Sequence, residues 1–291
     1  MVSIFTPTFN RAYIIGKLYE SLCHQTNFDF EWIVVDDGST DDTQSFFQEI
    51  TRKENPFEIT YVRQENGGKH RAINRGVQLA RGELFFIVDS DDRLTENAVD
   101  LVHNWVKSLP NTGKWAGVAG LRGYDCFHMI GSSFQGEFLD ATSLERPKKG
   151  ITGDKAEVFF AEVLRQFPFQ EFEGEKFLTE DTVWLKIALA GYSLRWYNTI
   201  IYLCDYLEDG LTKNLQKIVY ENPQGALYTT QIYLECFQHN IRKKYSSIYR
   251  YYQIGIYHKL SKKEIAENLN ISVAKLNFSI FLKRLYHFIK R

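Results

Sequence analysis

The sequence predicts an α/β fold, with a mainly parallel central sheet flanked by helices and a helical extension at the C-terminal end. Three observations carry that expectation. Short, near-continuous apolar runs alternate with helical patterns through the first 120 residues. Strands of that kind belong to parallel sheets covered on both faces. Each of the first four runs ends in a polar cluster, and such sheets bind ligands beyond the carboxyl ends of their strands. From about Leu211 onward the pattern is helical throughout.

The elements follow in order. VSIF (2–5) is a strand, with a helix across RAYIIGKLYESLCHQ; EWIVVD (31–36) is a second, with a helix across DDTQSFFQEITRK. FEITYV (57–62) and ELFFIVD (83–89) are the third and fourth, with helices over KHRAINRGVQLARG and TENAVDLVHNWVKSL. WAGVAGL (115–121) is a fifth strand. Residues 122–178 mix aromatics, glycines and charges and read as short strands and loops. TEDTVWLKIALAGY is a helix with Thr179 as its N-cap and Gly191 near its end. SLRWYNTIIYLCDY is a further strand, and no internal repeat or low-complexity tract is apparent. The chain divides into 1–120, 121–210 and 211–291.

The totals narrow the class. A hydrophobic fraction of 44% in 291 residues supports a sizeable core. Cys23, Cys126, Cys204 and Cys236 lie far apart with no CxxC pair, which argues against a disulfide framework or zinc knuckle and fits a reducing cytoplasm. MVSIFTPTFNR lacks the charged head and apolar run of a signal peptide. No stretch approaches the ~18 apolar residues that cross a bilayer, so a soluble or peripherally bound protein is expected. Charge is uneven: residues 239–291 carry 12 Lys and Arg against 2 acidic residues, and the rest is acidic.

The polar clusters are TPTFNR, DDGSTDD, RQENGGKH and DSDD. All four fall on one sheet edge and so form one site. In the last, Asp89, Asp91 and Asp92 are interrupted only by Ser90. Two carboxylates ~4 Å apart repel by roughly 4 kcal/mol at an effective dielectric near 20. Exposure, protonation or a cation relieves that cost. An extended strand end puts Asp89 and Asp91 on one side, a donor pair suited to Mg²⁺ or Mn²⁺ together with phosphate oxygens. The competing reading is acidic residues favouring a helix start. Asp36 and Asp37 read either as turn formers or as acceptors for a nucleobase imide. NGGKH is not a P-loop, because Arg63 and His70 stand where Gly and Ser or Thr are required. Gly67 and Gly68 permit close backbone approach to a ligand, and Lys69 at a helix start can reach a phosphate or base.

TPTFNR, VDDGSTDDT, ENGGKHRAINRG, GELFFIVDSDD and TED together resemble the family 2 glycosyltransferases, whose fold is the Rossmann-like GT-A. The resemblance spans about residues 2–190 and is nearest to bacterial enzymes of surface-polysaccharide synthesis. It implies a catalytic domain over 1–210, nucleotide-sugar-binding in 1–120 and acceptor-side in 121–210, with a basic helical extension over 211–291. It implies an inverting, metal-dependent transfer from a UDP-sugar to a saccharide or lipid-linked saccharide. Thr6, Pro7 and Arg11 would line the nucleotide pocket, and Asp36 and Asp37 would hold the uracil. Gly67, Gly68, Lys69, Asp89 and Ser90 would meet the donor. Asp89 and Asp91 would form the DxD metal motif, with Asp91 the direct ligand of Mn²⁺ or Mg²⁺. Asp181 would be the catalytic base. EDGLTKN (208–214) sits where related enzymes close over the donor phosphates, with Asp209, Thr212 and Lys213 as candidates. The histidine ligand often offered there has no clear counterpart.

The tail holds two further signals. Ile280, Phe281, Leu285, Phe288 and Ile289 recur at helical spacing among Lys283, Arg284, Lys290 and Arg291, as in an amphipathic helix on an anionic membrane surface. That would place a cytoplasmic protein on the inner face of the cell membrane. LSKKEIAENLNISVAKLN (260–277) resembles a helix-turn-helix, with Ala266 in the first helix and Ser272 capping the second. A DNA- or membrane-binding regulator is therefore an alternative, but DNA binding is the less favoured, since the N-terminal site explains far more residues. Sugar-nucleotide nucleotidyl transfer is a second alternative, and SIFTPTFNRAY lacks the Gly-rich basic signature it needs.

Overall fold

The computed structural model describes residues 1–205 and 211–289, and side-chain surroundings through 205 and over 215–285. Asp209 and the side chains of Thr212 and Lys213 lie outside the described residues, as do the side chains of Phe288 to Arg291. The chain forms two compact units, Met1–Phe169 with Lys186–Glu208, and Gln170–Leu185 with Asp209–Arg291. Gln170–Leu185, expected with the sheet domain, groups instead with the C-terminal helices.

In the first unit the order is β1 (Val2–Thr8), α1 (Ile15–Cys23), β2 (Phe30–Asp36), α2 (Thr43–Ile50), β3 (Glu58–Arg63), α3 (Lys69–Leu79) and β4 (Leu84–Ile87). It continues with β5 (Arg93–Leu94), α4 (Ala98–Lys107), β6 (Trp115–Gly123), β7 (Phe138–Ala141), β8 (Lys155–Phe160) and α5 (Ala161–Gln166). α6 (Asp181–Leu189), which belongs to this unit only from Lys186 onward, then leads into β9 (Ser193–Leu203). α6 ends as the sequence expects: Gly191 adopts φ +85°, and Tyr192 N–H returns to the Ile187 carbonyl.

The described strands make one sheet in the order β3-β2-β1-β4-β8-β6-β9-β5, with β7 also on β9. The first four are parallel, but β8 runs antiparallel between β4 and β6. Apolar side chains such as Trp32, Phe47, Phe86 and Val118 fill the core beneath the helices. β1 extends past its expected end at residue 5, because Thr6 pairs with Val34 and Pro7 with Val35. Pro7 is tolerated there because the β1–β4 ladder stops at Phe5↔Ile87.

The parallel register brings Thr8, Asp36 and Arg63 level at one edge. Asp37 fastens the loops above that edge. Its Oδ1 accepts from Gln64 Nε2 at 2.8 Å and Gly67 N at 2.9 Å, and its Oδ2 from Gly68 N at 2.7 Å and Asn66 Nδ2 at 3.1 Å. Gly38 makes the approach possible: it adopts φ +84°, and a Cβ there would lie 3.0 Å from Asn66 N. Gly68, at φ +95°, then starts α3 with Lys69 as its first residue. The neighbouring loop is tied down by Asn10 N to Ser39 Oγ (2.8 Å), Thr40 N to Asn10 Oδ1 (2.7 Å) and Ala12 N to Asp41 Oδ2 (2.9 Å).

The second unit continues through α7 (Leu211–Glu221), α8 (Pro223–Cys236), α9 (Ile241–Tyr257), α10 (Lys262–Asn268) and α11 (Val273–Ile289). Ile248, Tyr251, Ile265, Ala266, Leu276 and Ile280 form its core. α10 opens with a capping box between Ser261 and Glu264, and Ser272 Oγ accepts from Lys275 N at 3.2 Å at the start of α11.

The Asp37 latch gives a stability prediction. Asp37→Ala removes the carboxylate that accepts these four hydrogen bonds and should lower unfolding free energy by about 2–4 kcal/mol in urea denaturation. An unchanged midpoint would show that the loops hold without it.

Candidate active site

The carboxylates leave the core where β4 ends. Asp89 Oδ1 lies 2.5 Å from Lys69 Nζ, and Asp89 Oδ2 lies 3.6 Å from Arg122 Nη1. Burial raises the Asp89 pKa, but Lys69 and Arg122 outweigh it and hold the carboxyl below the usual range. Asp92 is buried; its Oδ2 accepts from Tyr202 Oη at 2.7 Å, and its Oδ1 from Asp205 N at 3.1 Å. Desolvation, and then the charge of Asp89, push Asp92 up to about 7. Tyr202 Oη also accepts from the Asp89 N–H at 2.9 Å, so one phenol fixes both ends of the turn. Arg122 stacks over the Tyr202 ring at 4.1 Å and donates from Nε to the Lys155 carbonyl at 3.0 Å. Asp205 is paired with Lys17 and Arg93, each at 3.1 Å.

Asp91, like Asp89, is half-buried. Burial and the neighbouring Asp89 raise its pKa, while Arg11 and Lys69 oppose the rise. Among the described residues no group of three His, Cys, Asp or Glu side chains converges as a metal cage. The donor chemistry still fits a divalent ion shared with phosphate, since Mg²⁺ commonly takes one or two carboxylates plus phosphate oxygens. Like-charge repulsion, which raises Asp91, is what such an ion relieves.

Several expected site residues take other roles. Thr6 is fully buried and accepts from Trp32 Nε1 at 3.0 Å, so it belongs to the core and does not line an open pocket. Asp36 is also fully buried, with Oδ1 accepting from Ser39 N at 2.7 Å and Oδ2 from Tyr61 Oη at 2.5 Å. Four donors satisfy the carboxylate of Asp37, so a nucleobase would have to displace one of them. The N–H groups of Gly67 and Gly68 are turned to Asp37. Pro7 is half-buried and Ser90 is buried between the two aspartates of the motif. Arg11 Nη1 donates to Tyr13 Oη at 3.0 Å while its charge is felt at Asp91. Arg122, Tyr202 and Asp205 were not among the expected residues. A charged Arg122 near the end of an otherwise apolar strand was the available signal.

Asp181 lies in the second unit as the first residue of α6. The helix begins at Asp181, two residues after the expected cap Thr179. The Asp181 carboxylate is exposed, and Tyr233 Oη donates to its Oδ2 at 2.8 Å.

Residues 3–118 match the model for glycosyl transferase family 2. A Campylobacter jejuni protein named GalNAc(5)-diNAcBac-PP-undecaprenol beta-1,3-glucosyltransferase is 29% identical over 192 residues, covering 64% of this chain and 59% of that one. Across five curated bacterial relatives the match spans 14–59% of the relative's length. S. aureus TarS 1-349, solved with UDP-GlcNAc, shares the fold at TM-score 0.64 and 17% identity, over 98% of this chain and 91% of that one. The mannosyltransferase PcManGT of Pyrobaculum calidifontis, solved with GDP-Man and Mn²⁺, shares it at TM-score 0.54 and 18% identity, over 98% and 80%. The sheet is that of the GT-A fold, and the similarity to glycosyl transferase family 2 lies in residues 3–118.

Proposed function

We propose that this chain is an inverting, metal-dependent glycosyltransferase that moves a sugar from a UDP-sugar to a saccharide or lipid-linked saccharide in bacterial surface-polysaccharide synthesis. The observation that carries the reading is the rim cluster, in which Asp89 and Asp91 stand beside Lys69 at the carboxyl end of a parallel strand. TarS, solved with UDP-GlcNAc, and PcManGT, solved with GDP-Man and Mn²⁺, support a nucleotide-sugar donor and a divalent ion. The name of the Campylobacter relative supports a polyprenol-linked acceptor.

Negative charge grows on the leaving diphosphate as the anomeric carbon is attacked. Asp91, with Asp89, would hold Mn²⁺ or Mg²⁺, which when bound supplies Lewis-acid stabilisation of that charge. Lys69 and Arg11 add fixed positive charge beside the same carboxylates. Pro7 and Ser90 complete the donor side. A sugar hydroxyl is a poor nucleophile, so Asp181 takes its proton as the new C–O bond forms and the bond to the diphosphate breaks. One displacement with one base inverts the anomeric centre.

Ile280 is buried in the helical core and cannot meet a membrane. Phe278, Phe281 and Leu285 are exposed at i, i+3 and i+7 of α11, an apolar stripe beside Lys275 and Lys283. We assign this stripe to an anionic lipid surface. Among the described residues no helix is long and apolar enough to cross a membrane.

Two measurements test these assignments. UDP release from a panel of UDP-sugars with Mn²⁺ should fall ~10²-fold or more in Asp181→Asn, with donor affinity near wild type; collapsed affinity with surviving turnover would remove Asp181 as base. In liposome sedimentation, Phe281→Ser with Leu285→Ser should reduce binding to phosphatidylglycerol vesicles several-fold. Equal binding would remove the membrane assignment.

A further inference from the structure

The second unit contains a cavity of about 160 Å³, lined by the segment before α6 and by helices α7, α8 and α9. A cavity of ~150 Å³ admits one six-membered ring, so this one has room for a single ring-sized group. Leu178, Val219 and Ile254 give it an apolar wall. Asp181, Tyr233 and Arg250 bring charge and a phenol to the same space. The hydroxyls of Thr229 and Thr230 also line it, but each donates to a backbone carbonyl one turn back, at 2.8 Å, and so offers a ligand only lone pairs.

Tyr233 Oη holds Asp181 Oδ2 at 2.8 Å. Among the described residues no hydrogen bond reaches Asp181 Oδ1, which remains available to a ligand donor. Burial, and then Asp181 itself, raise the Tyr233 pKa, so the phenol keeps its proton at neutral pH and stays a donor. Its ring is steadied by an edge contact with Phe237, centroids 5.7 Å apart. The combination suits a neutral ring bearing several hydroxyls. The apolar wall takes C–H surface, Asp181 Oδ1 and the threonine lone pairs accept from O–H groups, and Arg250 donates to ring or exocyclic oxygen. A purely hydrocarbon ligand would desolvate Asp181 without return.

We infer that this cavity is the subsite for one sugar ring of the acceptor, and that Tyr233 is a positioning residue: it fixes one oxygen of Asp181 so that the other meets the acceptor hydroxyl. The inference rests on the reading of Asp181 as base, because the hydroxyl that loses its proton must occupy the space beside that carboxylate.

The test uses the full chain and four probes, glucose, galactose, N-acetylglucosamine and N-acetylgalactosamine, in saturation-transfer NMR with UDP as a control. At least one sugar should bind wild type. Thr229→Phe, which fills the cavity, should abolish that signal and leave the UDP signal intact; Thr229→Leu is the smaller version should the first misfold. Persistence of the sugar signal in both variants, or no binding by any of the four, overturns the subsite. With the bound sugar as acceptor, Tyr233→Phe should lower kcat about tenfold or more at unchanged acceptor KM. A raised KM at wild-type kcat would overturn the positioning role. If Asp181→Asn keeps its turnover, the base assignment fails separately, whereas the subsite stands or falls by sugar binding to wild type and its loss in the Thr229 variants.

Discussion

Repulsion among three carboxylates at one strand end is the constraint on which the site depends. Each carboxylate is accommodated differently. Asp89 is held ionised by Lys69 and Arg122. Asp92, buried against Tyr202, is pushed up to about 7 and so carries only part of a charge near neutrality. Asp91 has its pKa raised by burial and then by the charge of Asp89. A divalent ion held between Asp89 and Asp91 would offset that crowding.

That arrangement is only as stable as the position of Lys69. The lysine is the first residue of α3, and α3 starts where it does because Asp37 gathers the amide and backbone N–H groups of the preceding loop. The carboxylate expected to read a nucleobase therefore also has a mechanical task one step removed, setting the cation that neutralises Asp89. Tyr202 does comparable work from the other side, joining the Asp89 N–H to the Asp92 carboxylate.

Much of this was legible in the sequence because it is local. Apolar runs located the first four strands, and polar clusters at their ends located the rim. The parts that were not legible depend on distant pairing. β8 sits between β4 and β6, yet it comes from a stretch whose mixed aromatics and glycines carry no clear period. Thr6 resembles loop chemistry until the Trp32 indole is seen to hold it in the core. Arg122 and Tyr202 join the site from strands far along the chain, where nothing nearby marks them as partners of Asp89. The grouping of Asp181 with Tyr233 is of the same kind, since 52 residues separate them.

The most direct measurement of the central claim is isothermal titration of UDP into the full chain with Mn²⁺, with EDTA, and into Asp91→Ala with Mn²⁺. Wild type should bind with Mn²⁺, and both other conditions should weaken binding by about tenfold or more. Equal affinity in all three would mean that the crowded carboxylates do not serve a metal-linked diphosphate, and the account would be contradicted at its base.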